Sequence, residues 1–297
     1  MKLILGTAQM GFEYGITNAT GQPDVSCCID IIKYAVNNGI NILDTARDYG
    51  SSEKIIGTTQ NSLKNIEVIT KLSNFQVNKH DSSYEIYDSI EKSIKTSMLN
   101  LKICELNTFL LHTYKHYENN IIWNYLKDEK NHSHKIAKLG VSIYMVDEAI
   151  KLLKDDDVKH IQIPINLLDD QWDNHDFLTL AKKRNDVTIH CRSIFLQGIL
   201  VSDASKWPKS AKESNNYVKQ LDILVETFKL NNKIELCFSY IKYFDWVDGI
   251  VIGVDNIGQL QNNIECFKVR KLTHSEFLHV RKVFRDVPLT ILDPRCW

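Results

Sequence analysis

The sequence predicts a single (β/α)8 TIM barrel of the α/β class, spanning residues 1–297 and carrying an extra C-terminal helix. Short apolar runs alternate with amphipathic stretches eight times along the chain. A length of 297 residues is ordinary for one barrel. No glycine-rich phosphate turn follows the first run, because Gly6-Thr7-Ala8-Gln9-Met10-Gly11 lacks the G-x-G-x-x-G spacing that a doubly wound sheet favours.

The apolar runs are Leu3-Ile4-Leu5, Ile40 to Leu43, Ile66 to Ile69 and Phe109-Leu110-Leu111. Leu139 to Ile143, His160 to Ile165, Val187 to Ile189 and Gly249 to Val254 follow. Each is short and apolar on both faces, as parallel strands buried under helices are. Asp24 caps a helix whose Cys28, Ile32, Ala35 and Val36 share one face, and Asn38-Gly39 ends it. Residues 84–100, 117–129, 145–155, 174–184, 214–230 and 256–265 have the same helical pattern. The extra helix is expected over about 273–285.

Composition excludes several classes. A formal net charge of −1, with lysines and acids interleaved, gives no global field for nucleic acid or a membrane surface. No apolar stretch reaches the ~20 residues a transmembrane helix needs, and the run after Met1 is too short for a signal peptide. Seven cysteines form no C-x-x-C pair, so reduced thiols in a cytoplasmic protein are expected.

A barrel carries its chemistry at the C-terminal ends of its strands. Asp44 ends the second run, with Tyr49 just beyond; Lys71 ends the third, His112 the fourth, and Ser142 lies near the end of the fifth. Singly, these read as a helix cap, a solvated amine and a structural imidazole. Together, on consecutive strands, they read as a site. A buried Lys71 needs a counter-charge, which Asp44 supplies. A phenol titrates near 10, and a nearby ammonium is expected to lower that; a fall of ~3 units corresponds to ~4 kcal/mol. His112 is placed to orient a carbonyl and donate to its oxygen. The set suits protonation of a developing alkoxide, and no Ser or Cys is paired with a base for acyl transfer.

The segments Gly6-Thr7-Ala8-Gln9 and Asp44-Thr45-Ala46-x-x-Tyr49-Gly50-x-Ser52-Glu53 resemble those of the aldo-keto reductase superfamily. Ile69-Thr70-Lys71, Leu110-Leu111-His112, Leu139-Gly140-Val141-Ser142, Ile161-Gln162-Ile163-Pro164-x-Asn166 and the stretch Arg192 to Gly198 extend the likeness, which continues to Ile252-Gly253 and Asn263. The resemblance implies a catalytic tetrad of Asp44, Tyr49, Lys71 and His112. It also implies a nicotinamide dinucleotide bound across the barrel mouth. Thr7, Asp44, Ser142 and Gln162 would border the nicotinamide; Arg192, Ser193, Phe195, Leu196 and Gln197 would follow the pyrophosphate; Gly253, Gln259 and Asn263 would hold the adenosine end.

Three departures from the family pattern stand out. Ile143 replaces the Asn that commonly binds the carboxamide, and Arg192 replaces the aromatic ring that stacks on the nicotinamide. Gly253, Val254 and Gln259 stand where NADP-preferring members place a Lys-Ser pair and an Arg, with Asp255 alongside. Family habit keeps NADP(H) slightly ahead of NAD(H), with Lys209 or Lys212 as cations within reach. No metal is expected, since His116, spaced H-x-x-x-H from His112, falls in a loop. Tyr114 and Trp172 are candidates for the substrate pocket, or for packing.

The expected activity is reduction of an aldehyde or ketone, including a sugar or sugar nucleotide, with a small carbonyl or alcohol as the partner molecule. A cofactor-binding regulatory subunit with little turnover is the alternative. The variable loops near 114–120, 167–175 and 202–216, and the tail after Asp286, set the substrate.

Overall fold

A computed structural model describes residues 1–60, 63, 65–78, 80–211 and 213–297. Eight parallel strands close into a barrel in sequence order: β1 (Lys2–Gly6), β2 (Ile42–Asp44), β3 (Glu67–Lys71), β4 (Leu106–Leu111), β5 (Ile136–Ser142), β6 (His160–Pro164), β7 (Thr188–Arg192) and β8 (Gly249–Gly253). β1 closes the ring by pairing with β8 over its whole length, Lys2 with Gly249 through Gly6 with Gly253. β5 begins three residues before its apolar run, because Ala137 and Lys138 are exposed and dilute the signal there.

The helices form the outer layer. Asp24 accepts from the Cys27 amide at 2.7 Å and starts Val25–Asn37; Gly39, at φ +82°, lets the chain leave it. Capping boxes at Ser82/Glu85 and Thr273/Glu276 start Ser83–Leu101 and His274–Val283. Such caps contribute about 1 kcal/mol each. The other expected helices are Asn120–His132, Val146–Leu152, His175–Lys183, Ser214–Thr227 and Ile257–Cys266.

Two helices lie outside the helical stretches read from the sequence. Ser52–Thr59 is short, contains Gly57, and buries Ser52, Glu53, Ile55, Ile56 and Thr59. Lys233–Ile241 buries every residue from Leu236 to Ile241. A third difference concerns His116, expected in a loop. It lies in the helix Tyr114–Glu118, is buried, and its Nε2 bonds the Phe75 carbonyl at 2.8 Å. Beyond the extra helix, Leu289–Leu292 and a turn over Pro294–Cys296 bring the tail back onto Tyr144, where the Arg295 guanidinium lies 3.7 Å from the ring centre.

Most of the barrel interior is aliphatic, but it encloses two histidines. His160 opens β6 and His190 lies within β7, their rings edge-to-face at 4.4 Å. His160 Nε2 and His190 Nδ1 have no partner among the described residues. Burial pulls the His190 pKa down to about 4, and burial followed by the neighbouring His190 holds His160 well below the ordinary range. Both rings are neutral at pH 7.

Candidate active site

Five of the strands deliver a polar group to the C-terminal mouth. Asp44 and Lys71 are the last residues of β2 and β3, Ser142 of β5 and Arg192 of β7; His112 follows β4 directly. Lys71 is fully buried, and its Nζ donates to Asp44 Oδ1 at 2.7 Å and to the Thr45 carbonyl at 2.8 Å. Asp44 Oδ2 accepts from Gln162 Nε2 at 2.6 Å, and Gln162 Oε1 lies 3.5 Å from Ser142 Oγ. The carboxylate is thereby satisfied on both oxygens, which is what a buried ion pair requires to persist.

Tyr49 is aimed by the turn that precedes it. Its amide bonds the Ala46 carbonyl at 3.0 Å, and the Ser52 amide bonds its own carbonyl at 2.9 Å. Gly11 and Gly50 let two backbones meet here: a Cβ on Gly11 would fall 1.8 Å from the Tyr49 carbonyl oxygen, and one on Gly50 would fall 2.2 Å from that of Gly11. Beneath lies a hydroxyl network in which Ser52 Oγ bonds Thr7 Oγ1 at 2.7 Å and Thr45 Oγ1 at 3.0 Å, while Thr7 Oγ1 donates to the Asp44 carbonyl. Buried Glu53 ties Thr70, Arg47 and Asn100 into this base. These residues explain why Thr, Ser and Glu surround Tyr49 in the sequence: they lock the loop rather than enter the mouth.

The Lys71 ammonium stands 5.1 Å from the centre of the Tyr49 ring, and the His112 ring meets that ring edge-on at 5.8 Å. Here the electrostatics differ from the sequence expectation. The Tyr49 pKa is raised, first by burial and then by the Asp44 carboxylate, with Arg192 the cation that opposes them. Asp44 absorbs the charge of Lys71, so little of it reaches the phenol. Burial lowers the Lys71 pKa against the pull of Asp44. Burial also lowers that of His112, against an upward pull from Asp48.

A cleft of about 380 Å³ runs from this mouth across β1, β7 and β8. Thr7, Asp44, Tyr49, Arg192, Ser193, Phe195, Gln197, Gly253, Gln259 and Asn263 lie on its wall. Ser142, Gln162, Lys71 and Leu196 are buried, and the first three form the hydrogen-bonded layer around Asp44. Tyr114 lies outside the cleft, packed on Tyr117 with Lys151 over its ring. Trp172 is buried against Phe177.

After β7, Ser193, Leu196 and Gln197 adopt left-handed backbone at φ 62°, 47° and 53°. Such strain, of order 1 kcal/mol or more per residue, concentrates at functional sites. The amides of Ile194, Phe195 and Gln197 donate to nothing else among the described residues. A run of free N–H groups in such a loop suits an anion.

At the far end, the Asp255 amide bonds Gln259 Oε1 at 2.7 Å, the Gln259 amide is capped by Asn256, and Asn18 Nδ2 reaches Asp255 Oδ1. Arg192 is the one lysine or arginine among the described residues of the wall. Lys209 is exposed and off the wall, and Lys212 lies outside the described residues. Among the described residues, no group of three or more His, Cys, Asp or Glu side chains is placed to hold a metal.

The sequence did not mark Tyr14, Thr17 and Asn18 as wall residues, since nothing in their spacing signals that the loop folds over the cleft. It also passed over Asp48, inside the D-T-A-x-x-Y segment, whose neighbour His112 is distant in sequence. Arg192 crosses the mouth toward β5, bonding the Ile143 carbonyl at 3.1 Å and lying 4.5 Å from the Tyr144 ring.

A closed eight-stranded barrel with an ionisable cluster at its strand C-termini has the architecture of a barrel enzyme. The chain belongs to the Aldo/keto reductase family, whose pattern matches residues 2–285, and it is an oxidoreductase by that membership. It is 23% identical to the oxidoreductase YqkF of Bacillus subtilis over 291 residues, 92% of each chain. It is 29% identical to D-arabinose 1-dehydrogenase of Saccharomyces cerevisiae over 153 residues, 49% of this chain and 43% of that one. The fold is similar to the aldo-keto reductase AKR11C1 of Bacillus halodurans in its holo form, with TM-score 0.76 and 20% identity over 100% of this chain and 95% of that one. It is also similar to the glycerol dehydrogenase AKR11B4 of Gluconobacter oxydans, with TM-score 0.73 and 21% identity over 98% and 95%.

Proposed function

We propose that the chain is a cytoplasmic, nicotinamide-dependent reductase of an aldehyde or ketone, such as a sugar or sugar nucleotide, with Tyr49 as general acid. The observation that carries this reading is the placement of Tyr49 between a neutralised Lys71–Asp44 pair and a neutral imidazole. A phenol whose pKa is raised keeps its proton at neutral pH, and an alkoxide forming within reach takes that proton downhill. Lys71 holds Asp44 and the Thr45 carbonyl in register, and His112 flanks the reacting carbon–oxygen bond. The names of the yeast and Gluconobacter relatives point to polyhydroxy compounds as the substrate class.

The cleft suits an extended dinucleotide, whose nicotinamide supplies the hydride when bound. The free amides of Ile194, Phe195 and Gln197 would receive its pyrophosphate. Although family habit favours NADP(H), the wall at the adenosine end supports NAD(H): among the described residues it offers Asp255 and no cation for a 2′-phosphate dianion. The test is hydride transfer from NADH and NADPH to a panel of aldehydes, ketones and aldoses, followed by nicotinamide absorbance. Turnover of a carbonyl compound is the expected result; no turnover of any with either cofactor overturns the reading.

A further inference from the structure

Arg192, the last residue of β7, is a cation that catalysis by the four tetrad residues leaves unused. Its Nη2 donates to the Ile143 carbonyl at 3.1 Å and its Nη1 to Ser193 Oγ at 3.3 Å. The guanidinium lies 4.5 Å from the centre of the Tyr144 ring. All three partners are neutral, and no carboxylate pairs with Arg192 among the described residues. Other cations near the mouth are engaged: Lys71 pairs with Asp44 at 2.7 Å, and Arg295 with Asp293 at 2.6 Å. The carboxylate of Asp48 is 37% exposed, and water screens it. Arg192 therefore holds the one unpaired positive charge among the described residues of the cleft wall.

That charge bears on the redox state of a dinucleotide in the cleft. A carbonyl group receives a proton from Tyr49 on its oxygen and a hydride on its carbon, so the nicotinamide end has to stand at Tyr49. Arg192 lines the same cleft as Tyr49, and it is the cation whose field opposes burial at the phenol. Reduction of the carbonyl removes two electrons and one hydrogen from the ring, which passes from neutral to singly positive. The pyrophosphate carries the same charge in both forms, so its attraction to Arg192 cancels between them. The ring charge does not cancel: a fixed cation in a site shielded from water raises the free energy of the oxidised form alone.

We propose that Arg192 is a redox-discriminating residue, whose unpaired charge makes the mouth hold the reduced dinucleotide in preference to the oxidised one. Ile143 and Ser193 fix the guanidinium in place by hydrogen bonds of its own fold, so the preference is built in before any cofactor binds. The oxidised product of carbonyl reduction is then the form more readily released. This rests on the reading of the chain as a nicotinamide-dependent reductase with Tyr49 as general acid.

Calorimetric titration of the full chain with NADH and with NAD⁺ tests it, repeated in Arg192→Gln and Arg192→Lys. The wild type is expected to bind NADH at least about tenfold tighter than NAD⁺, equivalent to about 30 mV in the potential of the bound couple. Arg192→Gln is expected to bring the two affinities at least about threefold closer, NADH losing more than NAD⁺. Arg192→Lys, which keeps the charge, is expected to retain most of the ratio. An equal loss for both forms in Arg192→Gln would make Arg192 a pyrophosphate ligand or a packing residue, and overturns the proposal. A ratio lost equally in Arg192→Lys, or a wild type that binds NAD⁺ as tightly as NADH, overturns it too. Should neither variant fold, the wild-type ratio alone decides. If neither form binds, NADPH and NADP⁺ are titrated in the same way; no binding of any of the four overturns the nicotinamide reading, and the role of Arg192 with it.

Discussion

Lys71 and Tyr49 face each other at 5.1 Å, ammonium to ring centre, yet the ammonium gives its hydrogen bonds to Asp44 and Thr45. Proximity alone would make this lysine the group that acidifies the phenol. Its carboxylate partner cancels much of that field, and the phenol's pKa is raised by burial and by Asp44. The phenol therefore keeps its proton at neutral pH.

That electrostatic state sets the pH dependence of reduction. A raised Tyr49 pKa keeps the acid form present to higher pH, so its loss falls above the ordinary phenol value near 10. The kcat/KM for reduction is expected to show no Tyr49 limb between pH 7 and about 10. A limb centred near pH 7 to 8 that disappears in Tyr49→Phe would show that Lys71 does acidify the phenol.

The ion pair also bears on stability. Removing one partner of a buried pair leaves the other charge uncompensated, at a cost of roughly 3–5 kcal/mol. Lys71→Met is therefore expected to lower the urea midpoint clearly, while Lys71→Met with Asp44→Asn recovers most of the loss. Equal destabilisation by the single and double variants would contradict this account of the pair.

The histidines inside the barrel predict acid sensitivity. A pKa held below its unfolded value means the unfolded chain binds more protons, so stability is full above about pH 6.5 and falls as pH drops toward the folded value. For His190, held at about 4, the loss across that window is on the order of 3 kcal/mol. Denaturation midpoints for wild type and His190→Leu from pH 7.5 to 4.5 are expected to diverge in slope, the variant being flatter. Parallel profiles would mean His190 is not buried as a neutral ring.

Cofactor choice follows from Asp255 and from the lack of a cation beside it among the described residues of the wall. Calorimetry is expected to give NADH at least about tenfold tighter binding than NADPH, and Asp255→Lys to narrow or reverse the gap. Tighter binding of NADPH to the wild type would restore the family's usual preference.

Much of this was legible in the sequence because parallel strands buried on both faces leave continuous apolar runs, and strand ends mark a barrel's mouth. The eight runs fall on β1 to β8, and Asp44, Lys71 and His112 sit at or just past strand ends as the register predicts. The helices Ser52–Thr59 and Lys233–Ile241, of eight and nine residues, are too short to give a sustained period. Electrostatic direction was not legible either. Whether Lys71 acidifies Tyr49 depends on where its hydrogen bonds go, which spacing does not encode. The Asp48–His112 contact joins residues 64 apart in the chain and has no local signature.

The most direct test of the central claim is Tyr49→Phe, measured by hydride transfer and by dinucleotide titration on the same preparation. The account predicts a fall in kcat of roughly 10²–10⁴-fold, the usual worth of a positioned acid, with cofactor affinity nearly unchanged. Turnover retained within a few fold of wild type would contradict it.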